Sequence, residues 1–157
     1  MKRTGFKPKP RKTLKRTRIR VAGHSTTSEL KREIQALLRE IVIKRDGGCW
    51  LRHYPESGAC GGRRGDGELI LQAEHLHTRS NAASFSDPRL VVCICQRHHI
   101  YWKPQHSHRY NELAEKFIGK ERAMLWKRVR EDHRPHKVDL KLELIALKQL
   151  STGELAN

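Results

Sequence analysis

Two short stretches concentrate the residues able to do chemistry. "LQAEHLHTRSN" spans residues 71–81 and "VVCICQRHHIYWK" spans residues 91–103. Each begins as an apolar, strand-like run and ends in histidines, and the second also carries two cysteines. Cys95 and His98 form a C-x2-H pair where a strand should run into a helix. In such a knuckle both side chains reach one ion, at about 2.0–2.3 Å. A closed tetrahedral site needs two more donors. Cys49 and Cys60 bracket the glycine-rich stretch "CWLRHYPESGACGGRRGDG", residues 49–67, and are the natural pair. His53 and Cys93 are the substitutes, although Cys93 also reads as a small buried hydrophobe. The stretch has too few apolar side chains to order itself, so a structural Zn²⁺ would supply the missing free energy. With no apolar signal-peptide core at the N-terminus, metal ligation is a better reading of the four cysteines than two disulfides.

The other histidines suggest a second centre. Hydrolysis of a phosphodiester needs a base to activate water, and a neutral imidazole serves near pH 7. It also needs a divalent cation to neutralise charge on the phosphate and the leaving oxygen. His75 reads as the base, with Glu74 and His99 holding Mg²⁺ or Mn²⁺. Neighbours in a regular strand point to opposite faces, so the strand must turn at residues 74–75. If it does not, His75 and His77 share a face and His77 joins the site. The plain alternative is a surface histidine cluster with no metal.

These residues need elements to place them. Residues 27–45 read as a helix, with a capping box from Thr26 and Glu29 and an apolar face of Leu30, Ile34, Leu37, Leu38, Ile41 and Val42. On that helix Lys31, Arg32 and Arg39 read as a solvated face before a DNA-contacting one. "DGG", residues 46–48, ends it. Strands are expected at 68–76 and 89–95, joined by a loop at 77–88. A short helix should start near Gln96 and end at Pro104. Helices at 107–118 and 120–131 should break at Gly119. Lys116, Lys120, Arg122, Lys127, Arg128 and Arg130 there offer a second basic face, while Trp102 and Trp126 read as core. A last helix at 137–150, beyond Pro135, is apolar nearly all round and must be buried on its own domain or across a homodimer. The fold class is α+β, mostly helical.

Charge points to the partner. The 157 residues carry a net charge of +16. Such a surplus opposes compaction by self-repulsion and makes sense beside a polyanion, nucleic acid first. No apolar run approaches the roughly 20 residues that span a bilayer, so no membrane role and a cytoplasmic location are expected. Residues 1–24 read as a disordered basic arm. Its Lys2, Arg3, Lys7, Lys9, Arg11, Lys12, Lys15, Arg16, Arg18 and Arg20 would touch phosphates without reading sequence. Arg79, in the loop beside the histidines, joins these DNA contacts.

At "AEHLHTRS" and "CICQRHH" the chain resembles an HNH endonuclease, with His98 at a zinc-cysteine position and His99 as the final His. "KRDGGCW" and "HRYNELAEKFIGKERAMLWKRV" extend the likeness, over residues 28–150, to the phage NinG (Rap) recombination proteins. The resemblance implies a ββα-metal core with a structural zinc knuckle over residues 25–135, flanked by N- and C-terminal helices, with a C-terminal helix and tail at 136–157. It implies a metal-dependent DNA endonuclease for branched recombination intermediates such as Holliday junctions and D-loops. It further implies recombination proteins as partners and, for a phage protein, the host cytoplasm or nucleoid. Two features depart from the pattern. The middle Asn is absent, and Asp87, Arg89 or Asn81 is left to take its place. The first knuckle is C-x10-C, where C-x2-C is usual. The competing reading from another class is a zinc-stabilised nucleic-acid-binding module with no catalysis.

Overall fold

The computed structural model describes residues 26–78, 82–132 and 137–153. The basic arm, Arg79, Asn81 and Pro135 lie outside the described residues. The fold is mostly helical with one small antiparallel sheet. Its elements are α1 (Thr27–Asp46), β1 (Leu71–His75), α2 (Ala82–Phe85), β2 (Val91–Cys95), α3 (Lys103–Gln105), α4 (Ser107–Glu131) and α5 (Leu140–Thr152).

Helix α1 starts where the capping box requires. The Thr26 side chain accepts from Glu29 N–H, and the Glu29 carboxylate accepts from Thr26 N–H at 2.7 Å. Gly47 ends the helix in the left-handed region at φ 63°, a conformation glycine adopts without a Cβ penalty. Leu30, Ile34, Leu38 and Val42 form the buried face.

Strands β1 and β2 pair with Leu71 opposite Cys95 and His75 opposite Val91. The C-terminal end of α1 is tied to β2: Asp46 accepts from Cys93 N–H at 2.8 Å, and Arg45 donates to the carbonyls of Pro88 and Val91. Arg39 donates to the Leu71 carbonyl at 2.9 Å, so it serves the fold and is not a free outward cation.

Strand β1 is shorter than the expected 68–76. Residues 61–70 instead fold back in a glycine-rich hairpin, with Arg63 bridged to Leu69 and Ile70 N–H donating to the Gly62 carbonyl at 2.8 Å. Pro104 does not end its helix. A π-turn at His98–Trp102 runs without a break into α3, and Pro104 stands within that helical run. His106 makes the break, at φ −128° and ψ 41°.

Gly119 interrupts α4 as expected, with φ 78° and ψ 168°. The main core joins Trp50 and Leu51 to Val92, Ile94, Tyr110, Leu113 and Trp126. Trp126 is buried and Trp102 packs against this core. Helix α5 begins at Leu140, where Asp139 accepts from the N–H groups of Lys141 and Leu142. It lies on α1, with Leu144 and Leu147 against Leu30, Ile34 and Leu38. Among the described residues, one stripe of its apolar surface is covered, and Leu142, Ile145 and Leu150 are exposed. One neighbouring helix cannot bury a helix that is apolar all round. No described helix is long and apolar enough to cross a membrane.

Candidate metal centres

Cys49, Cys60, Cys95 and His98 come together, their ligand atoms all within 4.8 Å of one another. They arrive from four places. Cys49 follows the turn that ends α1, Cys60 lies in the glycine-rich stretch, Cys95 ends β2, and His98 opens the π-turn. His98 Nδ1 lies 3.3 Å from Cys49 Sγ, 3.3 Å from Cys95 Sγ and 3.9 Å from Cys60 Sγ. Zinc bonds of about 2.0 Å to nitrogen and 2.3 Å to sulfur give a tetrahedral N···S edge of about 3.5 Å, so the spacing fits that ion. On its other side, His98 Nε2 donates to the Ser57 carbonyl at 3.1 Å, which leaves Nδ1 as the ligand nitrogen. Cys49, Cys95 and His98 are buried and Cys60 is half-buried.

The sulfurs share little charge by themselves. The hydrogen bond from the Cys49 thiol draws Cys95 down to about 4 against its burial, helped by the backbone N–H groups of Gly61 and His98. The same contact, with burial, pushes Cys49 up, and burial pushes Cys60 up. A dication would let all three ionise. The cluster could therefore hold a metal such as zinc. The substitutes stay out of it: the His53 ring stacks on Phe117, and Cys93 packs with Val42 and Val91 against α1. Burial raises the Cys93 thiol to about 12, the behaviour of a small core hydrophobe.

The second set gathers at the end of β1. Glu74, His75, His77 and Lys103 line a cleft of about 240 Å³. The strand keeps its alternation. Gln72 and Glu74 face the π-turn, where His99 Nε2 lies 2.9 Å from Glu74 Oε2 and His99 Nδ1 lies 2.5 Å from Gln72 Oε1. With Nδ1–H donating to Gln72, Nε2 donates to Glu74 when protonated and offers a lone pair to a cation when not. The 2.9 Å separation is that of a hydrogen bond, and it is also about the cis edge of an octahedron with bonds of about 2.1 Å. His75 is turned the other way, its Nε2 donating to the Phe85 carbonyl at 3.2 Å. No turn of the strand is needed, because the cleft wraps around its end and takes side chains from both faces. His77, at a bend just beyond β1, also lines it, and its imidazole is biased toward the neutral form by burial and then by the charge of Arg130.

Two of the three stand-ins for a middle Asn lie elsewhere, and Asn81 is outside the described residues. Asp87 and Arg89 pair with each other at 2.8 Å and face a separate cavity against α5. Among the basic residues of α4, Lys116, Lys120, Lys127, Arg128 and Arg130 are exposed. Arg122 is not available, because it donates to the Arg89 and Val91 carbonyls. Burial and then the nearby Arg45 lower its pKa to about 10.

Sequence reasoning missed Ser57, Gln72 and Lys103. Gln72 could have been found by stepping two residues back from Glu74 along the strand, and Lys103 by stepping four residues on from His99. The Ser57 carbonyl carries no sequence signal at all. Comparison with protein-family models, with curated proteins and with solved structures finds no match.

Proposed function

We propose that this chain is a metal-dependent DNA endonuclease with an HNH-like centre, acting on branched recombination intermediates such as Holliday junctions. The observation that carries this reading is the meeting of Glu74 and His99 at 2.9 Å, with Glu74 itself lining a cleft beside His75. A divalent cation bound there supplies charge neutralisation at the phosphate and the leaving oxygen. Glu74 Oε2 and His99 Nε2 would hold it, and Gln72 keeps the His99 ring in register. His75 takes the proton from the attacking water. The Phe85 carbonyl holds the Nε2 side of the ring and so helps to fix its orientation. The cysteine–histidine cluster fixes the π-turn from behind, which is how a structural zinc would serve catalysis here. The branched substrate rests on the resemblance to recombination nucleases, and the surplus of cations supports a nucleic-acid partner.

A second reading, a zinc-stabilised nucleic-acid-binding module, is favoured by one contact. Lys103 already occupies Glu74 Oε1, as it would in a site that never takes a metal. Incubating the protein with a four-way junction and with linear duplex, in Mg²⁺ or Mn²⁺ and with EDTA as control, decides between the two. Metal-dependent nicking of the junction is the expected result. Binding with no cleavage under any divalent metal leaves the module.

A further inference from the structure

The nuclease reading gives Lys103 no task, yet its position is specific. It follows His99 by four residues, one helical turn, so both side chains address the same side of the segment. Its ammonium pairs with Glu74 Oε1 while His99 holds Oε2, so both carboxylate oxygens are engaged. The ammonium also lies 5.2 Å from the centroid of the Tyr110 ring. Glu74 is only 7% exposed, so water cannot neutralise it. Lys103 itself lines the open cleft and has a long flexible stem.

We propose that Lys103 is a resident counter-ion that yields to the divalent cation. One carboxylate and one ammonium cancel. Adding a dication at Glu74 and His99 leaves an excess of two positive charges if the ammonium stays. Release of the ammonium from Glu74 frees the carboxylate for the metal and delivers a cation to the cleft, where a phosphodiester oxygen takes it. Lys103 is thus a positioning residue that couples metal binding to DNA binding. This inference rests on the assignment of Glu74 and His99 as metal ligands.

The test titrates Mn²⁺, followed by its electron paramagnetic resonance signal, into the full chain purified with zinc. Lys103→Met removes the charge and keeps the stem on Tyr110, and Lys103→Gln is the second neutral variant. Both should bind Mn²⁺ about ten-fold more tightly than wild type, since the competing state is weakened by one charge-assisted hydrogen bond. Lys103→Arg should stay near wild type, and Glu74→Gln should lose the site. Junction binding should tighten on adding Ca²⁺ in wild type but not in Lys103→Met. Unchanged or weaker Mn²⁺ binding in the neutral variants, with Glu74→Gln still losing it, overturns the counter-ion and leaves the metal site standing. Equal Ca²⁺ gains in wild type and Lys103→Met overturn the release step. Mn²⁺ bound by none of these proteins overturns the metal site and this inference together.

Discussion

His98 and His99 are neighbours in the chain, and they stand in two surroundings of opposite character. His98 is fully buried among three sulfurs, with its far nitrogen on a backbone carbonyl. His99 is about a third exposed and meets one carboxylate at the wall of a cleft. The first is closed: three cysteines and one imidazole, all but Cys60 buried, could hold an ion by themselves. The second is open: Glu74 and the Lys103 ammonium border a cleft. Closed sites hold folds together, and open sites do chemistry. The π-turn is the device that divides them, sending consecutive imidazoles to different sides.

The largest effect should come from breaking the closed centre. Cys95→Ser, or a strong chelator, should remove one zinc per chain and unfold the region around residues 49–67, because the metal's binding energy is folding energy there. Elemental analysis beside circular dichroism checks it; a well-folded wild-type protein without zinc would refute the assignment. The open centre should respond differently. His75→Ala should keep its fold, its zinc and its junction affinity, while single-turnover cleavage falls by about 10²–10⁴. Wild-type cleavage by that variant would remove His75 from the base role. His99→Ala should lose affinity for the catalytic metal, with partial recovery at high Mn²⁺, whereas His75→Ala should not recover. Gln72→Leu touches no metal, yet it should weaken Mn²⁺ binding by about ten-fold, since it frees the His99 ring.

Leu147→Ala serves as a control outside both centres. It opens the α1–α5 core and should cost about 2–4 kcal/mol in denaturant unfolding, with zinc content and cleavage per folded molecule unchanged. Deleting residues 1–20 should have the smallest structural effect. Junction and linear DNA should both bind more weakly, and the log–log salt slope should fall by about 0.9 for each phosphate that the arm neutralises. An unchanged slope would show that the arm does not touch phosphates.

The zinc set shows what chemistry-bearing residues reveal on their own. The C-x2-H spacing and the two cysteines bracketing an apolar-poor stretch predicted the four residues that come together, although the wide C-x10-C spacing left His53 and Cys93 open. The structure closed that choice by packing one on Phe117 and the other against α1. The capping box of α1, the break at Gly119 and the helix following Cys95 were legible for a like reason: each depends on interactions within a few residues. The late start of β1, the tolerance of Pro104 and the half-exposed α5 were not, because each depends on what packs alongside.

By itself the sequence determined the charge, the helical periods, and the types of side chain available for ligation. These are local properties, set by residue identity and by spacing of a few positions. Only the tertiary structure decided that a carbonyl from Phe85 steadies His75, that Gln72 orients His99, and that Lys103 rather than solvent neutralises Glu74. Those contacts join residues about ten to thirty positions apart, and backbone carbonyls are the same at every residue. No pattern in the chain marks them; the packing of β1 against the π-turn and the Phe85 segment creates them.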